Sequence, residues 1–127
     1  RVISGARLVA FVASSDLDRS AVFYTGTLGL TLLERSPFAV VVEGGGTVLR
    51  VTRVETVTAA PYTVLGWDVD NLDTSVTELR ARGVEFTRYA EMDQDRYDAW
   101  QAPSGTRVAW FADPDGNTLS LQQHPHA

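Results

Sequence analysis

The sequence predicts an α+β domain made of two β-α-β-β-β modules in a pseudo-two-fold arrangement, and three observations predict it. A strand-to-helix signature occurs twice, as Asp16-Leu17-Asp18-Arg19-Ser20 and as Asn71-Leu72-Asp73-Thr74-Ser75, 55 residues apart. A single repeat of that period in 127 residues means two similar modules, because a solenoid needs at least three shorter repeats to bury a continuous core. Each copy follows a Val-rich, strand-like run and opens a helical stretch that further strand-like runs succeed. Finally, Asp113-Pro114-Asp115-Gly116-Asn117 divides two such runs, with Pro suited to the second turn position and Gly or Asn to a positive φ, which makes a tight hairpin.

In chain order, Arg7 to Ala13 reads as a strand ending at Ser14-Ser15-Asp16, all good helix N-caps. Leu17, Ala21, Tyr24 and Leu28 then recur at helical spacing, and Gly29 stands where a left-handed C-terminal cap belongs. Strands follow at Thr31 to Arg35, Phe38 to Glu43 and Thr47 to Val54, the last two joined by Gly44-Gly45-Gly46. The second module places a strand at Thr63 to Val69 and a helix at Leu72 to Arg82 closed by Gly83. Its later strands fall near Val84 to Tyr89, Tyr97 to Ala102, Thr106 to Ala112 and Asn117 to Gln122. The whole chain, 1–127, reads as one domain, with module one at about 6–55, a linker at 56–61 and module two at about 62–123.

Composition narrows the function classes. A hydrophobic content of 44% supports a core, and no run of about 18 apolar residues or signal-peptide pattern occurs, so the expectation is a cytoplasmic protein with no membrane partner. The absence of cysteine removes disulfides, thiolate metal sites and cysteine nucleophiles. All 11 basic residues are arginine, which excludes a lysine Schiff base and suits carboxylate or phosphate ligands. A net charge of −5 argues against nucleic acid as a partner. The chain begins at Arg1 without Met, which is read either as a start that is not the natural one or as numbering that begins after a trimmed segment.

Phe23-Tyr24, Leu28-Gly29-Leu30, the Asp113-Pro114-Asp115-Gly116 turn and Leu119-Ser120-Leu121 after it, in this order behind two strand-helix modules, resemble the vicinal oxygen chelate superfamily of glyoxalases, bleomycin-resistance proteins and dioxygenases. The resemblance runs from Leu8 to Gln122. It implies mixed sheets that curl around a central cavity, commonly completed by homodimerisation. It also implies four inward positions that hold a metal in the superfamily's enzymes, and these match Val9, Arg50, Val64 and Ser120 here. Two valines and an arginine cannot ligate a divalent ion, so no metal and no other cofactor is expected. His124 and His126 read as a solvated tail, and Asp93, Asp95 and Asp98 as a solvated acidic loop without the pattern of a calcium site.

Strand alternation then supplies candidate ligand-binding residues. Taking Val9 as inward adds Arg7, Phe11 and Ala13. Taking Arg50 as inward adds Val48 and Thr52, and Val64 adds Gly66 and Asp68. Pairing Ala109 opposite Ser120 across the hairpin sets Arg107 and Phe111 on the same inward face, with Trp110, Leu119 and Leu121 towards the helices. Arg7, Arg50 and Arg107 are thus candidates for a cationic lining, the alternative being ordinary rim residues paired with Asp68 or solvent. Trp100, on a loop-flanked strand, and Phe38, after Ser36-Pro37, are candidate aromatic contacts; Trp67 and Trp110 read as core. The leading reading is a metal-free protein that binds a small anionic or aromatic molecule, similar to the antibiotic-resistance branch. A divergent lyase, isomerase or oxygenase is the alternative, for which Asp68 and Tyr97 are the only acid-base residues on offer and no catalytic set is assigned. A regulatory module with a vestigial cavity is a third.

Overall fold

A computed structural model describes residues 2–126 and divides the chain between Thr58 and Ala59 into two compact units. In the first, β1 (Val9–Ser14) leads to α1 (Leu17–Ala21), which runs on as a π-helical turn, Val22–Thr27, before β2 (Thr31–Arg35), β3 (Ala39–Gly44) and β4 (Thr47–Arg53). In the second, β5 (Thr63–Asp68) and α2 (Leu72–Ala81) precede β6 (Phe86–Thr87), β7 (Trp100–Gln101), β8 (Arg107–Ala112) and β9 (Thr118–Gln123). Each unit has one mixed sheet, in the order β1-β4-β3-β2 and β5-β9-β8-β6, so the fold is α+β with two sheets. In both, the first strand lies parallel to the last, and the last pairs antiparallel with its predecessor.

The repeated signature is a repeated cap. Asp16 and Asn71 both sit in extended backbone just before their helices, and each side chain accepts the backbone N–H three residues on, from Arg19 and Thr74, at 3.1 Å. Beneath α1, alternate residues of the strands, Val12, Val40, Val42, Leu49 and Val51, close the first core with Leu17, Ala21, Phe23 and Tyr24. Beneath α2, the matching layer is Leu72, Val76, Ala109, Phe111, Leu119 and Leu121.

The second unit departs from the sequence reading at its outer edge. The strands expected near 84–89 and 97–102 shrink to two residues each, and both pair with β8, sharing the edge that β2 occupies alone in the first unit. The reason is side-chain competition for the backbone between them: Gln94 is buried and takes the N–H of Tyr89 while donating to the carbonyls of Thr87 and Asp98, leaving less backbone free for a ladder. Asp16→Ala and Asn71→Ala are each expected to lower unfolding stability by about 1 kcal/mol, read from the urea midpoint at unchanged slope.

Candidate functional site

Each sheet buries one face against its helix and leaves the other open. On the first unit's open face the ladder aligns Val9 with Val48, and Phe11 and Val41 on either side of Arg50. Phe11 is 63% exposed, an unusual setting for a phenylalanine in mid-strand. Arg50 is half-buried between these apolar neighbours, and among the described residues its guanidinium has no ion-pair or hydrogen-bond partner. By contrast Arg35, on the helix side, is paired with Asp18. The alternation expected for Val9, Phe11, Ala13, Val48, Arg50 and Thr52 is the one observed. Arg7 is different, because β1 begins only at Val9 and leaves Arg7 exposed ahead of any ladder. Phe38 likewise precedes β3 and is 73% exposed, its N–H held by Ser36 Oγ at 3.2 Å.

In the second unit the hairpin shifts the expected face by one residue. Ser120 pairs with Trp110, and Ala109 pairs with Leu121. Arg107 and Phe111 therefore point towards α2, which corrects their assignment to the open face, and Trp110 belongs to the open face, which corrects its assignment to the core. Phe111 is 1% exposed, 6.3 Å from the ring of Trp67 and 5.3 Å from Phe86. Arg107 forms ion pairs of 2.8 Å with Asp73 of α2 and with Asp95. The physical cause is the turn: Asp113 N–H bonds the Asn117 carbonyl at 3.0 Å, so the loop is the three residues Pro114, Asp115 and Gly116, with Gly116 at φ 88°. Two-residue loops preserve one register and three-residue loops the next, and a slip of one residue turns every β8 side chain over.

The open face of this unit carries Gly66, Asp68, Ser120, Gln122, Val108 and three aromatic rings. The Trp100 ring lies 6.4 Å from that of Trp110 at 32°, and Tyr89 meets Trp110 edge-on at 5.4 Å. Trp110 and Tyr89 are the residues that sequence reasoning missed; a three-residue reading of the hairpin is the signal that finds Trp110. A Cβ on Gly66 would lie 2.6 Å from Ser120 Oγ, so glycine there lets β5 and β9 approach beside the rings. Asp68 is exposed and meets His124 Nε2 at 3.1 Å, while His124 Nδ1 contacts Thr106 Oγ1, also at 3.1 Å. The tail is thus anchored at His124, beside a recess of about 310 Å³ lined by Asp68, Val69, Asp70, His124, Pro125 and His126.

The loop between β6 and β7 is held by charge as well as by Gln94. Asp98 pairs with Arg80 at 2.6 Å and Arg88 at 2.7 Å. Burial pushes the Asp95 carboxyl up, but the N–H groups of Tyr97 and Ala99 together with Arg107 outweigh it and hold the carboxyl below the ordinary aspartate value. For Arg107, burial alone would weaken its hold on the proton, and the carboxylates of Asp73 and Asp95 more than reverse that.

Residues 7–121 match the model of the glyoxalase/bleomycin resistance protein/dioxygenase superfamily. The chain belongs to this superfamily. Among solved structures it is similar to TnmS3, an antibiotic binding protein from Streptomyces sp. CB03234, at 26% identity and TM-score 0.72 over 94% of this chain and 95% of that one. It also shares the fold of TioX from Micromonospora sp. ML1, at 22% identity and TM-score 0.72 over 95% and 100% of the two chains. Lactoylglutathione lyase from Agrobacterium tumefaciens has the same fold, at 19% identity and TM-score 0.73 over 93% and 92%. No curated protein matches the chain. The four residues that the resemblance matches to metal positions do not fit a metal, since Val9 and Val64 lack side-chain donors, Arg50 is cationic, and Ser120 Oγ is engaged by Gln122 Oε1 at 2.9 Å. Among the described residues no group of three or more His, Asp or Glu side chains is placed to hold a metal ion.

Two outcomes follow from this geometry. Phe111→Ala should lose about 3–5 kcal/mol of unfolding stability and Trp110→Ala clearly less, as urea midpoints will show; the reverse order would mean that Ser120 faces Ala109 after all. Because the Asp95 carboxyl is depressed in the folded state, its contribution is present above the ordinary aspartate range and lost as pH falls through the lower folded value. The stability gap between the wild type and Asp95→Asn should therefore close on acidification below about pH 4, measured by urea unfolding at successive pH values.

Proposed function

We propose that the protein binds a small anionic organic molecule on the open face of its first sheet without a metal, in the manner of the superfamily's sequestering members. The observation that carries this reading is Arg50, a half-buried guanidinium without a partner among the described residues, set between Phe11 and Val41. A cation in that setting loses hydration and gains no internal compensation, whereas a carboxylate or sulfonate from a ligand supplies two charge-assisted hydrogen bonds to the guanidinium fork. The apolar flanks then accept the ligand's hydrocarbon part. The similarity to TnmS3, an antibiotic binding protein, supports binding as the activity class. The enzyme reading is weaker on the residues present, since Asp68, the carboxylate that sequence reasoning offered for acid-base work, is exposed and engaged by His124. No helix among the described residues is long and apolar enough to cross a membrane. The proposal includes a cytoplasmic homodimer, in keeping with the exposed Leu8, Val9 and Phe11 around β1.

Calorimetric titration of 2-naphthoate into the purified protein should show saturable binding that Arg50→Ala weakens about tenfold or more, with circular dichroism unchanged. Titration of Ni²⁺, Zn²⁺, Mn²⁺ and Fe²⁺ should show no tight stoichiometric uptake. Tight stoichiometric metal would overturn the metal-free reading, and naphthoate binding indifferent to Arg50 would overturn the assigned anchor.

A further inference from the structure

We infer that Tyr89, Trp100 and Trp110 form a stacking platform for a planar, electron-poor fused-ring ligand that carries carbonyl acceptors. The inference deepens the ligand-binding reading and rests on it, but it draws on a different sheet face and different residues. Trp110 and Trp100 project from neighbouring strands on the open side of the second sheet, with Tyr89 standing edge-on at 5.4 Å from Trp110. Rings that merely close a core are covered by it, as Phe111 is. Tyr89 is 37% exposed, and both tryptophans are half-buried. Their two indole N–H groups and the Tyr89 hydroxyl have no hydrogen-bond partner among the described residues.

Three features give the platform a chemical preference. Indole faces carry negative π density, so they favour a ring whose own face is electron-poor. The free indole N–H donors and the phenol suit carbonyl oxygens at the rim of such a ring. Beside Trp110, the buried Ser120 hydroxyl donates to Gln122 Oε1 at 2.9 Å and so braces the Gln122 amide at the margin of the rings, and Gly66 contributes no side chain, which keeps that part of the face low. A mostly apolar surface with a few polar groups at its margin is the usual composition of a small-molecule site.

The platform is also braced before any ligand arrives. Gln94, 8% exposed, ties Tyr89 to the loop by accepting its N–H at 2.7 Å, and donates to Thr87 and Asp98 carbonyls at 2.9 and 2.8 Å. Arg88 clamps the carbonyls of Gln94 and Asp95 at 3.1 and 2.6 Å, and the isolated bridge between Gln94 and Trp100 joins the loop to β7. Fixing the rings in advance removes ordering entropy from the binding step.

Riboflavin is a suitable probe, being uncharged, planar and rich in carbonyl acceptors, so that Arg50 has no anion to bind. Titration with the 127-residue chain should quench flavin fluorescence saturably and add a long-wavelength charge-transfer shoulder. Trp100→Leu and Trp110→Leu should each weaken the affinity about tenfold, and Trp110→Phe, which keeps a ring and guards against loss of the fold, by less. Absence of saturable quenching, or affinity indifferent to both Leu variants, overturns the platform, while the naphthoate titration tests the anion-binding reading independently. A change in sedimenting mass caused by Trp100→Leu or Trp110→Leu also overturns it, since the rings would then belong to a contact between copies of this chain.

Discussion

The chemistry of the second unit depends on how Asp113 and Asn117 face each other. Their backbone bond at 3.0 Å closes a three-residue loop, and the Asp113 carboxylate locks it by accepting the N–H groups of Asp115 and Asn117 and the Asn117 side-chain amide. Both residues are buried, so these bonds are shielded from water and costly to break. Because strand side chains alternate with a period of two, the parity of this loop decides the destination of each residue in β8. It sends Phe111 into the core and Arg107 to the carboxylates near α2, and it delivers Trp110 to the open face. A loop with one residue fewer would present an arginine and a phenylalanine there, and a different ligand chemistry with them.

What the sequence made legible follows the strength of each local signal. Helix caps are short-range and chemically specific, so the caps offered at Ser14-Ser15-Asp16 and the signature opening at Asn71 marked where both helices begin, while the π-helical turn that extends the first was not legible. Strand positions in the first unit were readable from Val-rich alternation, and the open face containing Val9, Phe11 and Arg50 came with them, because β1, β3 and β4 hold an unshifted register across that face. The Asp-Pro-Asp-Gly turn was equally visible as a turn. Its residue count was not, because Pro at the second position and a glycine with positive φ are compatible with loops of both parities. What decided between them is the side chain of Asp113 reaching forward to Asn117, a bond between two residues that are each ordinary turn formers.

A second kind of illegibility arises where a buried side chain replaces the ladder. From 84 to 102 the residues have strand-like stretches, yet only Phe86–Thr87 and Trp100–Gln101 pair as strands. Gln94 satisfies backbone groups that a ladder would otherwise use, and the Asp95 and Asp98 carboxylates anchor the intervening loop on arginines from α2, β8 and the loop's own start. An acidic run reads in isolation as a solvated loop. Here it is tethered through partners remote in sequence, and that tether sets Tyr89 and Trp100 beside Trp110.

The arginines show why placement outweighs inventory. Three were candidates for one cationic lining, and the fold separates them by partner. Arg107 already has two carboxylates at 2.8 Å, so an incoming anion would have to displace one of them and would meet the negative charge of both. Arg7 stands exposed ahead of β1, where solvent screening leaves a contact little strength. Arg50 differs in both respects, since it lies within a ladder between apolar residues and has no internal anion among the described residues. A single half-buried guanidinium favours one carboxylate or sulfonate and gives no reason to hold a polyanion. The three rings of the second unit add no charge to this balance, and the carboxylate on their face, Asp68, is engaged by His124. The proposed anion contact and the proposed ring contact therefore rest on different residues, so that substitution can address each by itself.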